Sequence, residues 1–191
     1  MTALPAKQSG VSPDRLERAR AGDAATWEVI VTELGPVIRG YARARGVADP
    51  DDLTQDVFTA AAQRIAAFRG DWEAFRSWLF AIAYRQVINR YRQSGRATAP
   101  LPIDLTSADP SPEDEVVARL DAGGAAAALE ILDDLERDVV LMRVLGGLDA
   151  TAVGEAIGKR PGHVRVIQFR AMAKLREELL RRGYGGGEET A

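Results

Sequence analysis

Residues 135–180, LERDVVLMRVLGGLDATAVGEAIGKRPGHVRVIQFRAMAKLREELL, decide the fold. Apolar side chains recur at Val153, Ala156 and Ile157, then at Val164, Ile167, Ala171 and Leu175, the spacing of two helices that share a core. Gly158 lies between the two runs, where a tight turn is expected. The pattern predicts a helix-turn-helix with a cationic second helix: Lys159 to Arg182 holds eight Lys or Arg against two acids, a local charge of +6. The whole 191-residue chain carries −3. A positive helix on an acidic protein points to a local anionic partner, DNA foremost.

Outward from that stretch, helical patterning fills the N-terminal half as well. Asp23 is placed to cap a helix carrying Trp27, Ile30, Val31, Leu34, Ile38 and Tyr41 on one face, with Pro36 expected to kink or interrupt it. Gly46 ends that helix and Asp49-Pro50 opens the next, on which Leu53, Val57, Ala61 and Ile65 follow at steps of four. After the loop FRGD (68–71), a long helix carries Phe75, Trp78, Leu79, Ile82 and Ala83 inward and runs to Ser94-Gly95. The segment after Gly95 is rich in proline and turn formers. Charge is segregated along the chain, +4 over residues 69–96 and −5 over 97–121. The expected architecture is all-α: a helical bundle over 12–95, a flexible acidic linker over 96–114, a helix-turn-helix domain over 115–182 and a frayed tail over 183–191.

Composition excludes several classes. With 46% apolar residues the chain is a folding one. It has no cysteine, hence no disulfide framework or thiolate metal site, and a reducing compartment is expected. The start, MTALPAKQSGVSPD, lacks the apolar run of a signal peptide, and no stretch approaches the ~20 apolar residues of a membrane span. A cytoplasmic location follows. With His163 the only histidine there is no imidazole pair, and no phosphate-cradling glycine loop occurs. Neither catalysis, nor a metal, nor a cofactor is expected. Asp133-Asp134 reads as helix capping and Gly146-Gly147 as a helix-ending turn.

Three sets of residues carry candidate chemistry. On the long helix, Arg85, Asn89 and Arg92 are spaced i, i+4, i+7 and share a face, flanked by Tyr84 and Tyr91. Arg and Asn suit phosphates and base edges, and aromatics stack on unpaired bases. The bland alternative is a solvated amphipathic helix; the second basic helix in the same chain tips the balance. In DPDDLTQDVF, Asp49, Asp51, Asp52 and Asp56 crowd the first two turns, where the helix dipole favours carboxylates. Beyond capping, Gln55 and Phe58 make this a candidate protein contact. In the helix-turn-helix, the start of the second helix faces the major groove, so Arg160, His163, Arg165, Gln168, Arg170 and Lys174 are candidates for base and phosphate contact.

These motifs together resemble the extracytoplasmic-function (group IV) sigma factors of bacterial RNA polymerase. DPDDLTQDVF and FRGDWEAFRSWLFAIAYRQVINRYR are similar to the second region of that family, and LERDVVLMRVLGGLDATAVGEAIG with PGHVRVIQFRAMAKLRE to its fourth. The resemblance implies that Asp49, Asp52, Leu53, Gln55, Asp56 and Phe58 grip core RNA polymerase, a partner engaged through its β′ and β subunits. It implies that the loop Phe68 to Trp72, with Arg69, Arg76, Arg85, Asn89 and Arg92, melts and captures the minus-ten element of promoter DNA. Capture flips a base from the stack, at a cost of a few kcal/mol. The helix from Gly162 would read the minus-35 element, the linker would thread toward the polymerase active-site cleft, and an anti-sigma factor would be the regulator. Many members carry Thr and Ser where this chain has His163 and Val166, which alters the expected minus-35 contacts. Two other readings compete: a stand-alone helix-turn-helix regulator that binds duplex DNA without polymerase, and a helical adaptor with no DNA contact. A second Arg/Asn/Tyr helix argues against the first, and a steep salt dependence of binding would exclude the second.

Overall fold

The computed structural model describes residues 14–93 and 128–182. The linker expected over 96–114 and the tail expected over 183–191 lie outside the described residues. The chain forms α1 (Asp14–Arg20), α2 (Ala24–Ala44), α3 (Pro50–Arg64), a 3₁₀ turn (Ile65–Ala67), α4 (Trp72–Gln93), α5 (Asp134–Val144), α6 (Ala150–Ile157) and α7 (Pro161–Arg181). No strand occurs among the described residues, and the fold is all-α.

Helix ends fall where the capping chemistry puts them. Asp23 accepts from the Ala25 and Thr26 amides and, at 2.8 Å, from the Thr26 hydroxyl; the Thr26 and Arg18 hydrogen bonds hold its carboxyl down at about 2. Asp49 accepts from the Asp52 amide at 2.9 Å, with Pro50 as the first helical residue of α3. Asp133 and Glu136 form a reciprocal capping box at the start of α5. Gly158 closes α6 in the left-handed region (φ 72°), which permits the sharp turn into α7. Pro36 does not interrupt α2, which runs unbroken from Ala24 to Ala44. Pro36 and Thr32, whose carbonyl loses its usual helical donor there, are both exposed, so the carbonyl is not left in an apolar core.

Ile30, Leu34, Ile38 and Tyr41 of α2, Leu53, Val57 and Ala61 of α3, and Phe75, Leu79, Ile82 and Val87 of α4 form the core of the first half. Val139, Met142, Val153, Ala156, Ile157, Val164 and Ile167 do the same for the second, and both sets belong to one continuous apolar cluster. Periodicity carries no sign of this continuity. The short helix α6 is wedged between α4 and α7, and α5 reaches α2. Phe80 of α4 stands edge-on to Tyr41 at 5.7 Å, and a Cβ at Gly146 would lie 3.0 Å from the Phe80 ring, so the chain passes close there. A smaller cluster of Ala128, Leu132, Val140, Ala171, Leu175 and Leu179 ties α5 to α7.

The joint between the halves has a charged centre. The Arg45 side chain, at the end of α2, is 0% exposed. Its Nη1 donates to Asp134 Oδ1 at 2.8 Å, and its Nε stands 2.8 Å from Asp138 Oδ1 off the N–H direction, an ion pair rather than an aligned hydrogen bond. Tyr41 donates its hydroxyl to the same Asp138 oxygen at 2.6 Å. Burial pushes the Asp138 carboxyl up to about 6, more than the Arg45 charge and the Tyr41 hydrogen bond pull it down. Burial likewise raises Tyr41 well above its ordinary range. Beside this centre, Arg76 donates to the Gly146 carbonyl. An open cleft of ≈ 420 Å³ lies there, lined by Asp71, Glu73, Arg76, Asp149 and Glu155 among others.

Candidate nucleic-acid interfaces

α4 presents Arg85, Asn89 and Arg92 on one exposed face, as its spacing predicts. Tyr84 is half-buried, while Tyr91 is buried beneath the Arg45 guanidinium, 5.2 Å from its ring centre, and has no face left for a base. Arg76 is half-buried and turned to Gly146, away from the cationic face. Arg69 folds back on the carbonyls of Ala66 and Phe68 at 2.7 and 2.8 Å. The loop that carries it is packed on rings: Phe68 stacks on Trp78 at 5.0 Å and Trp72 on Phe75 at 5.5 Å.

On α7, Arg160, Arg165 and Arg170 are exposed and His163 is half-buried. Gln168 is not a reader: it is 5% exposed and accepts from Arg143 Nε at 2.8 Å, bracing α7 to α5. Its position four after Val164 and three before Ala171 puts it on the inward stripe. Lys174 stays half-exposed but holds the Glu136 carboxylate at 2.7 Å. The exposed cations of α4 and α7 are therefore two separate patches on one acidic chain.

Along α3 a third surface appears. Asp52, Gln55 and Asp56 are exposed, and Asp52 and Asp56 both accept from Arg90 of α4, at 2.8 and 2.6 Å. Asp51 pairs with Arg39 at 2.6 Å, and Asp49 is spent on the cap. Leu53 (0%) and Phe58 (7%) point into the bundle, so their place in the motif reflects packing rather than a surface. The exposed face of α3 is thus narrower than the motif, and it is polar.

The family model for Sigma-70 region 2 matches residues 30–97 and that for Sigma-70, region 4 matches residues 128–177. The ECF RNA polymerase sigma factor SigD of Mycobacterium tuberculosis is 31% identical over 175 residues, covering 86% of this chain and 82% of SigD. The chain belongs to the ECF RNA polymerase sigma factors. Among solved structures, that of CnrH in complex with the cytosolic domain of CnrY is similar at a TM-score of 0.64 with 24% identity, covering 88% of this chain and 96% of that one. The sigma factor RpoE in complex with the anti-sigma factor NepR from Bartonella quintana gives 0.61 with 20% identity, covering 80% and 96%. Both likenesses concern the fold. Sigma factors are generally regulators without enzymatic activity, acting in transcription initiation by directing RNA polymerase to promoters. In this sigma factor the region 2 match begins within α2 and runs through α4, and the region 4 match takes in α5 and α6 and ends within α7. No described helix is long and apolar enough to cross a membrane, and no group of described acids and histidine is placed to hold a metal ion.

Sequence places Tyr41 on an apolar face and Asp134 at a helix cap, but it does not join them with Arg45 and Asp138 into one centre. One signal existed: Asp138 stands four after Asp134 and four before the apolar Met142, a carboxylate that helical register carries into the buried face. Nothing in the sequence named its partner 93 positions away.

Proposed function

We propose that this sigma factor meets core polymerase through the exposed Asp52, Gln55 and Asp56 of α3, captures the minus-ten strand with the FRGD loop and the Arg85/Asn89/Arg92 face of α4, and reads the minus-35 element with Arg160, His163, Arg165 and Arg170 of α7. The observation that carries this reading is the sorting of exposed charge onto three surfaces of one fold, two cationic and one acidic. A stand-alone regulator has use for only one cationic surface. A guanidinium row on a helix engages phosphates and guanine edges, and the exposed amide of Asn89 suits an adenine edge. The positive end of α7, with Pro161 and Gly162 at its start, adds amide donors for a phosphate. The protein works without an active site, metal or cofactor of its own, in the cytoplasm where polymerase and promoter are found. An anti-sigma partner is part of the proposal, as RpoE was solved with the anti-sigma factor NepR and CnrH with the cytosolic domain of CnrY. The domain limits proposed are 12–95 and 115–182; the first begins before the matched span of 30–97 and ends two residues short of it, and the second is wider than its matched span of 128–177 on both sides.

Co-elution with bacterial core RNA polymerase tests the reading. Wild type is expected to co-elute one to one, and an Asp52→Arg, Gln55→Ala double variant is expected to lose the core while keeping its helical spectrum. A folded wild type that does not bind core, yet gel-shifts duplex DNA tightly and sequence-specifically, overturns the proposal in favour of a stand-alone regulator.

A further inference from the structure

The FRGD loop is held from outside the matched span of region 2. Helix α1 precedes the matched span of 30–97. It is anchored by the buried Leu16 and Ala19 and by ion pairs from Arg18 to Asp23 and from Arg15 to Glu33. From this base two cations reach the loop. Arg15 lies over the Trp72 ring, 5.0 Å from its centre, and Arg20 over Phe68 at 5.8 Å. Arg20 Nη2 also donates to the Gly70 carbonyl at 3.2 Å.

That single contact sits at the least forgiving point of the loop. Gly70 has φ 147°, and a Cβ there would stand 2.8 Å from the Ala74 Cβ and 3.1 Å from the Phe68 ring. The conformation requires glycine, which is also the residue whose flanking peptides rotate most freely. On the far side the loop is fixed, since Asp71 caps α4 by accepting from the Ala74 amide at 2.8 Å. On the near side Arg69 folds onto its own neighbours. The Gly70–Asp71 peptide is therefore the part left to turn, and Arg20 is what holds it. A trans peptide carries its N–H opposite its C=O, so fixing the Gly70 oxygen toward α1 aims the Asp71 amide donor away from α1.

We infer that Arg20, supported by Arg15, is a positioning residue that sets the FRGD loop in the shape that selects the minus-ten strand. The inference rests on the assignment of this loop to the minus-ten element. It makes promoter choice depend on a helix outside the matched region.

Holoenzyme made from core polymerase and the full chain provides the test, with a pool of promoter fragments randomised over both elements and sequenced before and after run-off transcription. Arg20→Met keeps the stem over Phe68 and removes the donor and the charge. It is expected to co-elute with core and to keep the wild-type minus-35 preference, while base enrichment at the minus-ten positions falls roughly tenfold, the scale of one lost charge-assisted hydrogen bond. The defect should persist on fragments premelted over that element, and Arg20→Lys should restore part of the preference. Wild-type minus-ten enrichment in Arg20→Met overturns the inference. So does a loss spread equally over both elements with a lowered melting temperature, the mark of a merely structural role. Arg69→Ala and Asn89→Ala in the same pool separate the two levels. If both flatten minus-ten enrichment and Arg20→Met does not, the bracing role alone fails; if neither does, the assignment of the loop fails and the inference with it.

Discussion

Replacing Asp138 by alanine is expected to open the joint between region 2 and region 4. In the closed arrangement the change leaves the Arg45 guanidinium, 0% exposed, with only the half-exposed Asp134 as a carboxylate partner, and strips the acceptor from the buried Tyr41 hydroxyl. Removing one member of a buried ion pair costs about 3–5 kcal/mol, and an orphaned buried hydroxyl a further 1–3. Asp134 retains its 2.8 Å contact, so the lower end applies, about 3 kcal/mol. That is roughly a 150-fold shift from closed to open. Opening relieves the cost, because Arg45 and Tyr41 then meet water. The chain has no cysteine, so Gln63→Cys on α3 and Arg176→Cys on α7, both exposed, give a clean pair of spin labels. Pulsed dipolar spectroscopy should report one short distance in the Asp138-containing protein and a broad, longer distribution in Asp138→Ala. A variant that keeps both the short distance and the parent melting temperature refutes the reasoning.

Acidification should tighten the same joint. The Asp138 carboxyl is raised in the fold from its ordinary 3.8 to about 6, so its contribution is fully present below about 3.8 and is lost as pH rises through about 6. The groups facing it are Arg45, Tyr41, Asp134 and Arg137, with Tyr84 and Tyr91 beyond. The open fraction, read by the same spin labels, should therefore fall between pH 7.5 and 5.5, and Asp138→Asn should flatten the change. Gln168→Ala should cost about 1 kcal/mol of stability by removing an acceptor from Arg143, without altering minus-35 preference; Arg165→Ala should do the reverse, as thermal melts and run-off from the randomised pool will show. Asp133→Ala removes the α5 capping box and should lower stability by about 1 kcal/mol in urea unfolding with an unchanged slope.

Sequence made the local structure legible because the deciding interactions are local. Asp23, Asp49 and Asp133 announce helix starts, Gly46 and Gly158 announce helix ends, and the four-residue steps of Leu53, Val57, Ala61 and Ile65 name a buried face. The same periodicity carried information that the chemistry of a residue type can mask. Gln168 lies on the stripe of Val164 and Ala171, and its amide made it look like a base reader although its register is inward. Tyr91 is likewise a core aromatic at the end of a cationic helix. The joint was illegible for a different reason. Periodicity states that a face is covered but not by what, and α6 is apolar on two sides because it serves two neighbours. The pairing of Arg45 with Asp138 spans the linker, and no local rule links them.

The closed joint also sets how many promoter elements one molecule can touch. Elements centred near minus-ten and minus-35 are about 25 base pairs apart, or about 85 Å of duplex at 3.4 Å per pair. α4 and α7 both lie against α6, so with helix diameters of about 10 Å their axes are no more than about 20 Å apart. If α4 and α7 each take one element, as proposed, a molecule in this form is monovalent toward a promoter. Two weak sites joined in one chain gain a high effective concentration only when geometry lets both engage, and the closed form does not allow it. On that proposal avidity is withheld from the closed protein by its own core, and it would be conferred by whatever holds the two halves apart.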